Sequence, residues 1–236
     1  MQEKCENENR SNFAVRIAKA VLVIGAGGLG CPALISLAEA GVPRLGIADP
    51  DNVEISNLPR QILFTENDLG RNKAAAAAEA LLRFPGTRNL EIDIHATAIR
   101  GDEPFLEDYG VVIEAVDDPE SKFLLHDAVV SRRIPFVQTS ASGWTAQILT
   151  VTASGCLRCL FEFPERLDAP DCSRIGIAGP VAGLAGLLAA EEALAILSGR
   201  PPRFANRFWS RNFLEDTVCE HRITPRPDCP VCRAPS

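Results

Sequence analysis

Short apolar runs alternate with helix-like segments over the first 140 residues. The β-branched run 21–24 ends at Gly25, which predicts a strand, a tight glycine turn and a helix over residues 32–40. The alternation continues with predicted strands at 45–48, 90–96, 110–116 and 134–139 and predicted helices at 73–83 and 121–131. This order predicts an α/β fold, a doubly wound and mostly parallel sheet covered on both faces.

The pattern changes after residue 142. Residues 144–152 alternate without a following helix, and 208–223 predict one or two further strands, which together suggest an antiparallel C-terminal extension. Residues 162–173 contain two prolines and predict a long surface loop of the kind that is often functional. The Gly/Ala-rich segment 175–197 predicts a buried helix, because its uncharged run, 175–190, is too short to span a bilayer.

Composition narrows the class of protein. The 236 residues are 46% apolar and 23% charged, as in ordinary globular chains. A net charge of −7 argues against diffuse attraction to nucleic acid or to an anionic membrane, so we expect neither as a partner. The polar N-terminus has no apolar signal region, which predicts a cytoplasmic location where the eight cysteines need an explanation other than disulfides.

A glycine-rich turn is the first candidate for chemistry. Gly25, Gly27, Gly28 and Gly30 follow a predicted strand and precede a predicted helix, so the backbone there can approach a phosphate. Asp49, at the end of the next strand, is suited to accept hydrogen bonds from a ribose hydroxyl. The turn predicts an adenosine nucleotide, either NAD or ATP, and a tight turn without a ligand is the structural alternative.

The residues after Asp49 favour a triphosphate. They supply polar and cationic groups beside the crevice, namely Asp51, Asn57, Arg60, Gln61 and, at a helix start, Lys73. Arginine can fork onto phosphate oxygens and lysine can supply a point charge, although a solvated first-turn lysine is the alternative. Asp117 follows a strand at the same edge of the sheet and suits Mg²⁺, whereas a helix N-cap is the alternative for Asp117 and for Asp118.

Four of the cysteines form two Cys-x-x-Cys pairs, Cys156 with Cys159 and Cys229 with Cys232. Together they predict a structural Zn²⁺ that clips the C-terminal tail to the body, with a redox dithiol and unligated cysteines as alternatives. Cys172 lies between Asp171, which would raise the pKa of its thiol, and Arg174, which would lower it. The remaining candidates, Cys5, Cys31, Cys219, His95, His126 and His221, show no ligand spacing and predict packing or surface roles.

The glycine turn, the Asp49–Gln61 stretch, Lys73, Asp117 and the cysteine pairs together resemble the ThiF/MoeB/HesA family, bacterial relatives of the ubiquitin-activating enzymes. The resemblance covers about residues 20–232. It implies a Rossmann-like domain over 21–236 after a short segment 1–20, with a nucleotide-binding part (21–141) and a carrier-binding and zinc part (142–236). It further implies an ATP-dependent adenylyltransferase that activates the C-terminal glycine carboxylate of a small ubiquitin-like sulfur carrier of the ThiS/MoaD type, with release of pyrophosphate.

The resemblance also assigns roles. Asp49 would hold the ribose, Asn57, Arg60 and Lys73 the phosphates, and Asp117 the Mg²⁺, while Cys172 is the position at which some relatives form a covalent intermediate. A homodimer is expected.

The chain departs from the family in its N-terminal segment, where an arginine that reaches the partner subunit's site usually lies. That motif is absent from 1–20, and Arg10 and Arg16 are the candidate substitutes. Three other functions stay open: a different acceptor such as a tRNA base or a peptide amide, a nucleotide-binding scaffold without turnover, and an NAD oxidoreductase. The oxidoreductase is least favoured because no second domain after residue 140 offers a hydride-transfer base.

Overall fold

A single eight-stranded sheet forms the centre of the protein. The computed structural model describes residues 20–153, 155–161 and 176–232. The strand order is β3-β2-β1-β4-β5-β6-β7-β8, with parallel pairing from β3 to β5 and antiparallel pairing from β5 to β8. The strands are β1 Val21–Ile24, β2 Arg44–Ala48, β3 Glu91–His95, β4 Val111–Glu114, β5 Phe136–Ser142, β6 Thr145–Val151, β7 Arg207–Asn212 and β8 Thr217–Arg222.

Five α-helices and three 3-10 helices connect these strands in the described part of the chain. The α-helices are α1 Gly30–Glu39, α2 Lys73–Leu81, α3 Pro119–Ser131, α4 Leu157–Leu160 and α5 Gly179–Leu197. The 3-10 helices are Ile55–Asn57, Glu66–Asp68 and Pro104–Asp108. The predicted doubly wound sheet with an antiparallel extension is confirmed, and the segment 208–223 forms two strands.

Alternate residues of β1 divide the core into two layers. Val21 and Val23 pack with residues of α1, α2 and α5 on one face, whereas Leu22 and Ile24 pack with α3 and the C-terminal cysteine segment on the other. All four side chains are buried, as expected for a parallel strand covered on both faces. The sheet is therefore held between two helical layers over its parallel half.

Helix α5 is the one helix of the described chain that is long and apolar enough, by length and composition, to cross a membrane. Here it packs against α1 and strands β4 to β6. A Cβ on Gly186 would lie 2.7 Å from Pro32 Cγ, so the glycine lets the two helices approach closely. Buried Glu192 accepts hydrogen bonds from Thr150 Oγ1 (2.6 Å) and Phe204 N (2.9 Å), which fixes α5 to the antiparallel strands. The helix is thus part of the core, as the sequence predicted.

The strand order positions the functional site. Strands β1 and β4 are neighbours, and the order reverses between them: β2 and β3 lie on one side, β5 on the other. Ligands of open α/β sheets bind at such a switch point, beyond the carboxyl ends of the strands. The glycine turn after β1 and Asp117 after β4 both lie at this point.

Candidate functional site

A cavity of about 480 Å³ opens at the switch point, within the size range of small-molecule sites. Residues from several separate segments line it, including the connection after β3 and the first turn of α3. Ten of the eleven residues predicted to bind the nucleotide contribute to its walls: Gly25, Gly27, Gly28, Asp49, Asp51, Asn57, Arg60, Gln61, Lys73 and Asp117. The structure therefore brings together residues that the sequence spreads over more than ninety positions.

The eleventh residue, Gly30, lies beneath the glycine turn and not among the cavity-lining residues. A Cβ at Gly30 would collide with the carbonyl oxygen of Gly25, so its role is to let α1 start directly under the turn. Gly25 itself has φ +97° and an added Cβ would lie 2.6 Å from the Ala115 oxygen. The turn thus packs against the segment that leaves β4, with no room for a side chain at either position.

Asp49 joins the glycine turn to the end of β2. Its Oδ2 accepts a hydrogen bond from Ala26 N at 2.7 Å, and its Oδ1 accepts one from Asp51 N at 2.9 Å. Burial raises the pKa of this carboxyl, and the two backbone N–H groups act in the opposite direction. A carboxylate has about four lone-pair positions, so Asp49 retains acceptor capacity toward the cavity that it lines.

Lys73 opens α2 as a largely buried cation. Its Nζ lies 2.9 Å from Asp51 Oδ2, and its side chain is 9% exposed while that of Asp51 is 67% exposed. Asn72 caps the helix by accepting a hydrogen bond from Ala75 N, and its Nδ2 donates to the backbone carbonyl oxygen of Asp49. The interpretation of Lys73 as a solvated surface lysine does not fit this burial. Asn72 was missed in the sequence, although an asparagine directly before a helix start is a common N-cap.

Arg60 and Gln61 also line the cavity. Arg60 Nη2 donates to Asn57 Oδ1 at 2.7 Å, and Nη1 donates to the Ser56 oxygen at 3.3 Å. These bonds orient a guanidinium that has five N–H donors in total. Gln61 is buried, and its Oε1 has no hydrogen-bond partner within the described residues. The oriented guanidinium suits an anionic group of a ligand, whereas the unpaired amide oxygen, an acceptor, suits a hydrogen-bond donor on that ligand.

The two acids after β4 have different environments. Asp118 is the N-cap of α3, and its Oδ2 accepts a hydrogen bond from Ser121 N at 2.7 Å. Hydrogen bonds from Ser121 lower the pKa of Asp118. Asp117 is exposed and lines the cavity. The N-cap interpretation therefore applies to Asp118, and Asp117 remains available to a cation.

The two cysteine pairs lie together on the face of the sheet that α3 covers. Sulfur atoms of Cys156 and Cys229 are 3.6 Å apart, those of Cys159 and Cys232 are 3.5 Å apart, and all four lie within 4.8 Å of one another. A tetrahedral zinc with bonds of about 2.3 Å separates its sulfur ligands by about 3.8 Å. The four thiols therefore fit a closed, four-coordinate zinc site that joins residues on either side of α5 and β7.

The cysteine cluster also lowers one thiol pKa. Burial acts to raise the pKa of Cys229, but hydrogen bonds from the backbone N–H groups of Cys232 and Val231 and from the Cys232 and Cys156 side chains together lower the pKa to about 7. Arg226 N donates a further hydrogen bond to the Cys159 sulfur at 3.4 Å. Hydrogen bonds of this kind favour thiolates, the form in which cysteine binds a metal.

Two further cysteines of the described residues, Cys31 and Cys219, lie outside the cavity lining and the cysteine cluster. Buried Cys31 donates to the Ala26 oxygen, and burial raises its pKa to about 12, which agrees with a packing role. Cys219 is exposed on β8 with its sulfur 3.1 Å from His221 Nε2, a contact that sequence reasoning missed. Cys5, Cys172, Arg10, Arg16 and the predicted loop 162–173 lie outside the described residues.

Sequence comparisons find relatives that match most of this chain. The adenylyltransferase and sulfurtransferase MOCS3 of Anopheles gambiae is 35% identical over 218 residues, which are 90% of this chain and 49% of that protein. The SAMP-activating enzyme E1 of Haloferax volcanii is 33% identical over 222 residues, 92% of this chain and 81% of that protein. The chain thus spans about half the length of the MOCS3 relatives it matches.

Solved structures share the fold. The crystal structure of E. coli MccB with ATP has a TM-score of 0.79 at 20% identity, over 93% of this chain and 69% of that chain. At this identity the likeness concerns the fold alone. Residues 15–231 match the profile of the ThiF family, and the chain belongs to that family.

Proposed function

We propose that this protein uses ATP to adenylate the C-terminal carboxylate of a small ubiquitin-like carrier protein. The observation that carries the proposal is the convergence of the glycine turn, Arg60, Lys73 and Asp117 on one cavity at the switch point of the sheet. The names of the relatives support the same class of reaction, because they include an adenylyltransferase and an E1 enzyme.

In the proposed reaction a carboxylate oxygen of the carrier attacks the α-phosphorus of ATP. The new bond joins that oxygen to phosphorus, the bond to the bridging oxygen breaks, and pyrophosphate leaves with its electron pair. Arg60 and Lys73 offset the negative charge of the phosphates. Asp49 accepts a hydrogen bond from a ribose hydroxyl, and backbone N–H groups of the turn donate hydrogen bonds to phosphate oxygens. Catalysis is then mainly positioning and charge neutralisation, with no acid–base pair required.

Asp117 is the proposed ligand of a Mg²⁺ that accompanies the triphosphate. Mg²⁺ typically keeps one or two carboxylates with water and phosphate oxygens, and the exposed Asp117 side chain lines the cavity. The four cysteines would hold a structural zinc. A cytoplasmic, reducing location belongs to the same proposal.

The finer assignments belong to the same proposal. The carrier would be of the ThiS/MoaD sulfur-carrier type with a Gly-Gly terminus, the enzyme a homodimer, and Cys172 a site of covalent chemistry. The division into a nucleotide-binding part (21–141) and a carrier-binding and zinc part (142–236) follows the change from parallel to antiparallel strands near β5.

ATP–pyrophosphate exchange tests the function. We expect exchange that requires a carrier ending in Gly-Gly and stops when the two glycines are removed. Lys73→Ala should lower the exchange rate by about 10²–10³, the usual cost of losing one electrostatic donor. Arg83→Ala, which removes an exposed cation two residues after the end of α2, is the matched control and should retain exchange. A folded protein that binds ATP but gives no exchange with any such carrier would contradict the proposal.

A further inference from the structure

A largely buried lysine lies beside the candidate nucleotide cavity and is not among the residues that line it. Lys122, on the second turn of α3, donates from Nζ to Glu114 Oε1 (2.8 Å), the Val116 oxygen (2.6 Å) and the Thr139 oxygen (3.1 Å). An ammonium group has three N–H donors, so these bonds use all of them. Its side chain is 12% exposed. Lys122 therefore donates to one side chain and two backbone carbonyls of the protein itself and has no donor left for a phosphate.

Two of these bonds, to Glu114 and Val116, hold the segment that leads to Asp117. Val116 is held at both of its backbone groups, since its N–H donates to Glu114 Oε1 at 2.8 Å and its oxygen accepts from Lys122. Asp117 follows directly, and Asp118 is fixed as the cap of α3. The backbone is thus held by hydrogen bonds at Val116, directly before Asp117, and at Asp118, directly after it.

The same segment supports the glycine turn. Ala115 N donates to the Ile24 oxygen at 2.8 Å, and the Ala115 oxygen lies where a side chain of Gly25 would begin. A shift of residues 115–117 would therefore move both the acid and the wall of the turn. Two sides of the cavity depend on one tethered peptide.

Charge explains why the tether is a lysine. Glu114 is fully buried at the end of β4, and its Oε2 has no hydrogen-bond partner among the described residues. A buried carboxylate without a counter-ion is strongly unfavourable, and Lys122 is the cation in contact with it. With the pair neutral overall, Asp117 is left as a separate charge facing the cavity.

We propose that Lys122, together with Glu114, is a positioning residue that holds Asp117 where it can bind the cation accompanying ATP. This inference rests on the proposed function. It assigns to Lys122 no contact with substrate, and it predicts an effect on the cation requirement that is larger than the effect on the maximal rate.

The test measures ATP–pyrophosphate exchange against Mg²⁺ concentration for the wild-type protein and Lys122→Met. We expect the half-saturating Mg²⁺ concentration to rise by about 10- to 100-fold, the usual cost of removing a residue that orients a metal ligand. The rate at saturating Mg²⁺ should fall much less. Arg132→Met removes a cation from the other end of α3 and should leave the Mg²⁺ curve unchanged.

A double variant separates positioning from loss of stability. Glu114→Gln combined with Lys122→Met removes both charges, so the melting temperature of the double variant should recover toward that of the wild type. The double variant replaces Lys122→Met in the Mg²⁺ titration if Lys122→Met does not fold. Its Mg²⁺ requirement should stay high, because the tether to the Val116 oxygen is still missing. Wild-type exchange together with an unchanged Mg²⁺ curve in the folded variants would overturn the inference. Absence of exchange in the wild type would instead count against the proposed function.

Discussion

The backbone N–H of Leu157 donates a hydrogen bond to Nε2 of His126, with the two atoms 3.1 Å apart. Leu157 lies inside the first Cys-x-x-Cys pair, and His126 is fully buried on α3, the helix that begins beside the candidate nucleotide site. His126 Nδ1 contacts Asp127 at 2.8 Å, and Asp127 also binds Arg158 of the same cysteine pair. The cysteine cluster and the nucleotide cavity are thus connected through one helix.

The first prediction concerns this connection. His126→Leu should lower the free energy of unfolding by about 1–3 kcal/mol, because it leaves a buried N–H without an acceptor. His126→Gln is the control, since its amide oxygen can occupy the place of Nε2 and should recover part of the loss. Chemical denaturation of both variants measures the difference. Equal stability of His126→Leu and the wild type would contradict a structural role for this bond.

The second prediction concerns the metal. The purified protein should contain one zinc per chain by elemental analysis, and chelation should lower its melting temperature. Cys232→Ser should lose both the metal and the response to chelator, because a closed site needs all four thiolates. Cys219→Ser removes an exposed thiol outside the cluster and should keep both. Full zinc content in Cys232→Ser would show that the cluster is not the site.

The third prediction concerns pH. Asp118→Ala should lower the free energy of unfolding by about 1 kcal/mol at neutral pH, the usual value of an N-cap. Because the hydrogen bonds from Ser121 lower the pKa of Asp118 in the folded state, this contribution is present above the unfolded pKa of about 3.9 and is lost as the pH falls through the folded pKa. The gap between wild type and variant should therefore close below about pH 4.

The control for this prediction is Asp118→Asn. Asparagine caps as well as aspartate and does not titrate, so its advantage over Asp118→Ala should persist in acid. Denaturation midpoints from pH 7 to pH 3 measure all three proteins. A gap between wild type and Asp118→Ala that is constant over this range would show that the carboxylate does not provide the cap.

The fourth prediction compares two glycines with similar backbone angles. Gly25 has φ +97° with the Ala115 oxygen 2.6 Å from an added Cβ, whereas Gly86 has φ +94° with nothing within 4 Å. Both alanine variants should lose stability from the unfavourable backbone angle. Gly25→Ala should lose more, and it should also weaken ATP binding, because the turn must move away from β4. ATP titration and thermal unfolding measure the two effects, and equal behaviour of the variants would exclude the steric argument.

Local patterns were sufficient to predict most of the fold. The glycine turn, the alternation of strands and helices and the spacing of the cysteines each depend on residues close together in sequence. The predicted strand 134–139 began two residues too early and ended three residues too early, because β5 is Phe136–Ser142 and continues through polar residues. Pairing with β6, which joins Ser142 to Thr145, imposes the extended conformation there and no apolar pattern announces it.

Long-range contacts explain what the sequence did not predict at the site. Glu114 ends an apolar strand, where a charge is unusual and was a usable signal, but its pairing with Lys122 depends on how α3 folds back over β4. The burial of Lys73 likewise depends on the contact of α2 with the end of β2. Tertiary packing decides such features, and neither periodicity nor propensity reports them.

The continuity of the sheet has a consequence for dissecting the protein. Strand β5 pairs with β4 on one side and with β6 on the other, so within the described sheet hydrogen bonding between strands continues across residue 141. A fragment that ended near residue 141 would expose the whole free edge of β5, which invites pairing with other molecules and aggregation. The nucleotide-binding part (21–141) and the carrier-binding and zinc part (142–236) should therefore be expressed and purified together, as one folding unit.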